Sequence, residues 1–226
     1  MTLWESILEA LSRLAPGERL SALFERLRAP PERSVAFTIA VIALGAKMAK
    51  ADGRVTRDEV MAFREVFTIP QGELSNAARV FDMARTDVAG FEDYATRIAA
   101  MFDDDSSVLR DLMEGLFHIA VADGSYHPAE DEFLLRVAQI FHLEEREFRS
   151  IRARYVPGTE ADCWEVLGVT PDTPLTEIRA NWRRLVRETH PDRMMARGLP
   201  EEAIKLAERR LVAINRAWER IQDGTA

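Results

Sequence analysis

The chain has 226 residues, more than the ~100–150 of one ordinary domain, and its 47% hydrophobic and 30% charged residues exclude a disordered polymer. Its net charge of −8 is uneven: residues 1–159 carry 19 Lys and Arg against 26 Asp and Glu, and residues 160–226 carry 11 against 12. No long basic block exists, which argues against a nucleic-acid partner. The one cysteine, Cys163, rules out an internal disulfide and fits a reducing, cytoplasmic compartment.

Glycines and prolines fall where helices end, and no alternating strand pattern persists, so an all-α fold is expected. Trp4, Ile7, Leu8 and Leu11 have the 3–4 spacing of an amphipathic helix, and Leu20, Phe24 and Leu27 repeat it after "APGE". Residues 1–30 thus read as a helical hairpin, closed by the prolines of "APPE". Packing on the main body is its plain reading; peripheral contact with a membrane surface is the alternative, weakened by a polar face poor in Lys and Arg. Glu5 and Glu9 stand where a secretory signal would be basic and then apolar, so no leader is expected. The next segment stays apolar only from Val35 to Ala46 before Lys47. A membrane span needs ~20 such residues, and a shorter run suits a buried core helix.

An internal repeat follows. "KMAKADGRVTRDEVMAFREVF" (47–67) aligns with "HIAVADGSYHPAEDEFLLRVA" (118–138), 71 residues on. Each copy predicts helix, turn, helix. Gly53 and Gly124 suit the left-handed end of the first helix, and Thr56 or Pro128 the start of the second. "QGELSNAARVFDMA" and "FEDYATRIAAMF" supply two helices between the copies, "DDDSS" (103–107) an acidic helix start, and "FHLEEREFRSIRARYV" the close of the domain. Both copies also contain Asp-Gly-x5-Glu, the second half of an EF-hand loop. The positions two and four before each Asp should offer oxygen, yet they hold Lys50 and Met48, then Val121 and Ile119. A structural turn is the plainer reading; a weaker carboxylate metal site is the other.

These paired "ADG" helices resemble the TerB (tellurite-resistance) domain, an all-helical fold with a pseudo-twofold repeat, over about residues 30–155. The resemblance implies a divalent metal at the turns, carried here by Asp52, Glu59, Asp123 and Glu130.

After a linker at 157–161, residues 162–226 form a second unit. "CWEVLGV" is a short apolar stretch closed by Gly168. "PLTEIRANWRRLVRETH" is an amphipathic helix with Ile178, Trp182 and Leu185 on one face and Arg179, Arg183, Arg184 and Arg187 as a cationic surface. Pro191 stops it and fixes His190-Pro191-Asp192 at the tip. "PEEAIKLAERRLVAINRAWERI" returns as a long helix whose apolar side is Leu206, Leu211, Ile214, Trp218 and Ile221. In the insert before it, Met194 and Met195 read as loop or packing residues.

The opening, the basic helix, the His-Pro-Asp tripeptide and "INRAWERI", in that order, resemble the J domain of Hsp70 cochaperones. Trp164, Trp182 and Trp218 stand where that family usually has Tyr, and Asn181 where it has Ala. A TerB-like domain (31–156) ahead of a J domain is similar to the DjlA type. That type begins with a membrane-spanning helix, so this chain looks more like the soluble relatives called DjiA. The resemblance implies a DnaK-type Hsp70 as partner and an unknown client. His190, Pro191 and Asp192 would favour ATP hydrolysis by the Hsp70, and Arg179, Arg183, Arg184 and Arg187 would face its acidic surface. The alternative is a metal-binding tellurite or stress-response module that uses the J domain only for recruitment. An enzyme is not expected, since no Gly-rich phosphate loop, nucleophile elbow or His-rich cluster occurs.

Overall fold

The computed structural model describes residues 3–15, 18–23, 27, 32–52, 74–87, 90–102, 106–122, 124–156, 163–196 and 201–224. These residues form helices and no strand: α1 (Leu3–Ser12), a 3-10 turn (Leu20–Ala22), α2 (Glu32–Asp52), α3 (Leu74–Thr86), α4 (Phe91–Met101), α5 (Ser106–Ala120), α6 (Pro128–Ile140), α7 (Glu145–Tyr155), α8 (Cys163–Leu167), α9 (Leu175–Glu188), α10 (Pro191–Ala196) and α11 (Glu201–Gln222).

Helix α2 is the axis of the first unit. Apart from Thr38 it is apolar on all sides from Val35 to Ala46, so it must be enclosed on all sides, and α1, α3, α4, α5 and α6 pack around it. No helix among the described residues is long and apolar enough to cross a membrane. Lys47 ends the apolar run and is itself buried. Its Nζ donates to the Asp87 carbonyl at 2.8 Å and lies 5.0 Å from the centre of the Tyr94 ring, so its charge is solvated by the protein. Of the expected hairpin the described residues show α1 and the 3-10 turn at Leu20–Ala22, and these pack on the main body as the plainer reading expects. Ile7, Leu11, Leu20, Leu23 and Leu27 are buried in the same core. A membrane-lying surface would need Ile7 and Leu11 exposed, and they are instead spent on that core.

The second copy of the repeat forms as expected. Helix α5 ends at Ala120, and Gly124 has φ +83°, which a side chain would strain. Pro128 is the first residue of α6. Of the first copy, only α2 up to Asp52 lies within the described residues, and Asp103–Asp105 and the linker at 157–161 lie outside them.

The J-domain-like unit is a second core of Val166, Leu167, Ile178, Ile214, Trp218 and Ile221. Trp182 of α9 stacks on Trp218 of α11 with ring centres 5.2 Å apart, and its Nε1 donates to Asn215 Oδ1 at 3.0 Å. Indole thus fits position 182 because its N–H finds an acceptor. The two cores interlock. Ala153 of α7 belongs to the second, while Met194 of α10 and Ala207 of α11 belong to the first.

Candidate functional site

The site is a corner between two helices. Helix α9 ends at Glu188, Thr189 caps it through a bond to the Leu185 carbonyl, and Pro191 opens α10. Proline does stop α9, but the chain continues as a helix instead of an extended loop, because Pro is well suited to a first helical position. The His190 carbonyl accepts the amides of Arg193 (3.0 Å) and Met194 (3.3 Å), making His190 the hinge residue of the corner. Its side chain is 53% exposed and that of Asp192 is 80% exposed. The Asp192 amide donates to His190 Nδ1 at 3.3 Å. In the neutral ring this puts the proton on Nε2. The tripeptide therefore presents an imidazole and a carboxylate to solvent from a backbone locked by two helix ends.

Helix α9 has three faces. Ile178, Trp182, Leu185 and Val186 meet the core. Arg179, Arg183 and Arg187 recur every fourth residue and are exposed; Arg179 and Arg183 have no ion pair among the described residues, and Arg187 Nε donates to the Arg183 carbonyl at 3.3 Å. The third face holds Glu177, Asn181, Arg184 and Glu188, and it lines a cleft of about 400 Å³ against α5 and α7. Arg184 is engaged there: Nη2 donates to Asn181 Oδ1 at 2.6 Å and Nη1 to Glu188 Oε2 at 2.8 Å. Asn181 in turn donates to the Leu167 carbonyl at 2.5 Å. Asparagine, where the J-domain family usually has Ala, thus ties α9 to α8 and bonds Arg184 on the cleft face, where the guanidinium side chain stays 48% exposed. The four arginines grouped by sequence divide into three on the outer face and one in the cleft.

Of the residues nominated for metal, Glu130 is buried and its carboxylate accepts the His127 amide at 2.8 Å, capping α6. The side chain of Asp52, and Glu59 and Asp123 entirely, lie outside the described residues. Among the described residues no group of three His, Cys, Asp or Glu side chains is placed to hold a metal ion.

Sequence reasoning missed a charge cluster at the foot of the cleft. Glu114 of α5 is fully buried, and it accepts Arg154 Nη2 at 2.5 Å and Tyr155 Oη at 3.0 Å. Arg210 of α11 pairs with Glu114 at 3.0 Å and with Asp111. Burial alone would raise the Glu114 carboxyl, but Arg154 and Arg210 outweigh it and hold the group below the usual carboxylate range. Burial would likewise lower Arg210; Glu114 and Asp111 reverse that and raise it. The available signal was two carboxylates, Asp111 and Glu114, three apart among the apolar Leu109, Leu112, Met113 and Leu116, where burial requires cationic partners.

Comparison with known proteins gives the family. Residues 38–153 match the family described as tellurite resistance protein TerB, and residues 162–226 match the DnaJ domain. The chain belongs to the TerB family, with a DnaJ domain joined behind it. The TerB match runs from within α2 to within α7, and the DnaJ match takes in α8–α11 and the exposed corner. The Co-chaperone protein DjlA of Photobacterium profundum is 26% identical over 217 residues, covering 84% of this chain and 78% of that one. The protein of the same name from Vibrio cholerae is 26% identical over 225 residues, with the same coverage. That from Escherichia coli K12 is 23% identical over 218 residues, covering 84% of this chain and 80% of its own. No solved structure matches the chain. The TerB and J domains therefore stand in the N-to-C order of the DjlA type.

Proposed function

We propose that the chain is a cochaperone that stimulates the ATPase of a DnaK-type Hsp70 and carries out no bond chemistry of its own. The observation that carries this reading is the exposed His190-Pro191-Asp192 corner beside the outward stripe of Arg179, Arg183 and Arg187. The relatives' printed name, co-chaperone, supports it. The stripe steers an acidic partner surface and sets on-rate and orientation, an effect that weakens with salt. The corner then engages the Hsp70 and favours hydrolysis. The TerB domain is the part that selects a client or partner, and the site of action is the cytoplasm.

The test is steady-state ATP hydrolysis by a bacterial Hsp70, with the chain and with His190→Gln. Stimulation by the first and basal turnover with the second is the expected result. No stimulation by the folded chain across several Hsp70s would remove the reading.

A further inference from the structure

The Mechanism of Hsp70 docking just proposed leaves the buried cluster Asp111, Glu114, Arg154 and Arg210 unused. We infer that this cluster makes the TerB domain the brace of the His-Pro-Asp corner, with Arg210 as its positioning residue; this rests on the cochaperone reading above.

Three observations place the corner on the TerB domain. Met194, whose amide bonds to the His190 carbonyl, is 1% exposed and packs in the TerB core together with Ala207. Arg210 follows Ala207 on the same helix and reaches Asp111 and Glu114 across the domain boundary, its side chain only 11% exposed. On the other side of the cleft, Ser150 of α7 donates to the Val166 carbonyl of α8 at 3.0 Å while accepting from Arg154 at 2.8 Å, so Arg154 joins both ends of the contact. The J domain is thus held at two separated places, through α11 on α5 and through α8 on α7.

Apolar packing carries no directional bond, whereas Arg210 is fixed by a hydrogen bond to Asp111 and an ion pair with Glu114. That geometry turns the Asn181 and Arg184 face of α9 toward the cleft and leaves Arg179, Arg183 and Arg187 outside its lining. It also holds α10 at Met194, its one buried residue, four residues from His190. Without the brace, the corner keeps its residues but populates its competent arrangement less. The apparent affinity for the partner then falls by the competent fraction, while the turnover of the bound complex does not.

The test uses the full chain with Arg210→Gln, and Arg210→Lys to restore charge. Spin labels on Glu132→Cys in α6 and Arg216→Cys in α11, both exposed, report the distance between domains, with buried Cys163 left in place. Hydrogen exchange of the Arg193 and Met194 amides reports the corner. The expected result is one narrow distance in the parent, and a broad one with faster exchange in Arg210→Gln. The Hsp70 concentration dependence should shift to roughly fivefold higher half-saturation with the maximum retained, partly recovered by Arg210→Lys. Unchanged distance and exchange in Arg210→Gln would overturn the inference, and so would a broadened distance with unchanged half-saturation. Failure of the parent to stimulate any Hsp70 removes the cochaperone reading alone; distance and exchange still decide whether the TerB domain braces the corner.

Discussion

Two groups of arginines on this chain do opposite work. Arg179 and Arg183 stand on the outer face of α9 in water with no ion pair among the described residues, while Arg154 and Arg210 are buried against Glu114 and Asp111. An exposed guanidinium keeps its hydration and costs the fold little, so it is available to a partner and screened by salt. A buried one has lost its hydration and must have its carboxylates, so removing one of them costs far more than the pair adds to net stability. The difference teaches that charge count on a helix does not locate a docking surface. What locates it is which charges the fold has already satisfied.

The comparison breaks hardest at Glu114. Replacing it with Ala leaves Arg210 buried with Asp111 and Arg154 buried with Ser150 as hydrogen-bond partners, and removal of one partner from a buried pair typically costs about 3–5 kcal/mol. Urea unfolding should show a loss of that order. Acid is a gentler version of the same experiment. The Glu114 carboxyl is depressed in the folded state. Its contribution is therefore fully present above the unfolded value of about 4.3 and is lost as pH falls through the lower folded value. Stability measured from pH 6 downward should hold to about pH 4 and then fall, with a shallower acid slope in Glu114→Gln. An equal slope in the two proteins would show that other carboxylates dominate.

How much of this was legible depends on the range of the interaction. The second copy of the helical repeat, the enclosed α2, the proline stop after α9 and the exposed His190 corner all follow from local spacing or local backbone limits, and the structure has them. The division of Arg184 from Arg183 does not. It turns on Asn181 reaching the Leu167 carbonyl and on a second domain lying against that side of α9. The cluster at Glu114 joins residues 40 and 99 positions apart in its key bonds, beyond any periodicity. Met194 gave no sign either, since an apolar residue in an insert serves equally as loop or as packing.

Arg183→Ala and Arg184→Ala sharpen the contrast within one helix. Removing the Arg183 side chain breaks no hydrogen bond or ion pair among the described residues, so stability should change by less than about 0.5 kcal/mol while association with an acidic partner slows at low salt. Removing Arg184 breaks its pair with Glu188, an i,i+4 contact worth about 0.3–0.5 kcal/mol, and frees Asn181 Oδ1. It should cost slightly more stability and slow association less. Stopped-flow association at two salt concentrations, with thermal unfolding of each variant, separates the two. Equal slowing by both would place Arg184 on the docking face after all.

The smallest expected effect concerns the turns nominated for metal. Glu130 already accepts a backbone amide as the cap of α6 and is 3% exposed, so binding a cation there would cost the cap. A ligand that binds only the folded state at 100 times its dissociation constant stabilises by about 2.7 kcal/mol. Even a site of about 10 μM affinity would therefore move the unfolding midpoint of this chain by several degrees in 1 mM calcium or manganese. The expected shift is under about 1 °C, the same in Asp123→Ala as in the parent. A larger shift that Asp52→Ala or Asp123→Ala removes would mean that the cation recruits carboxylates from the turns without Glu130, and would give the TerB domain a ligand of its own.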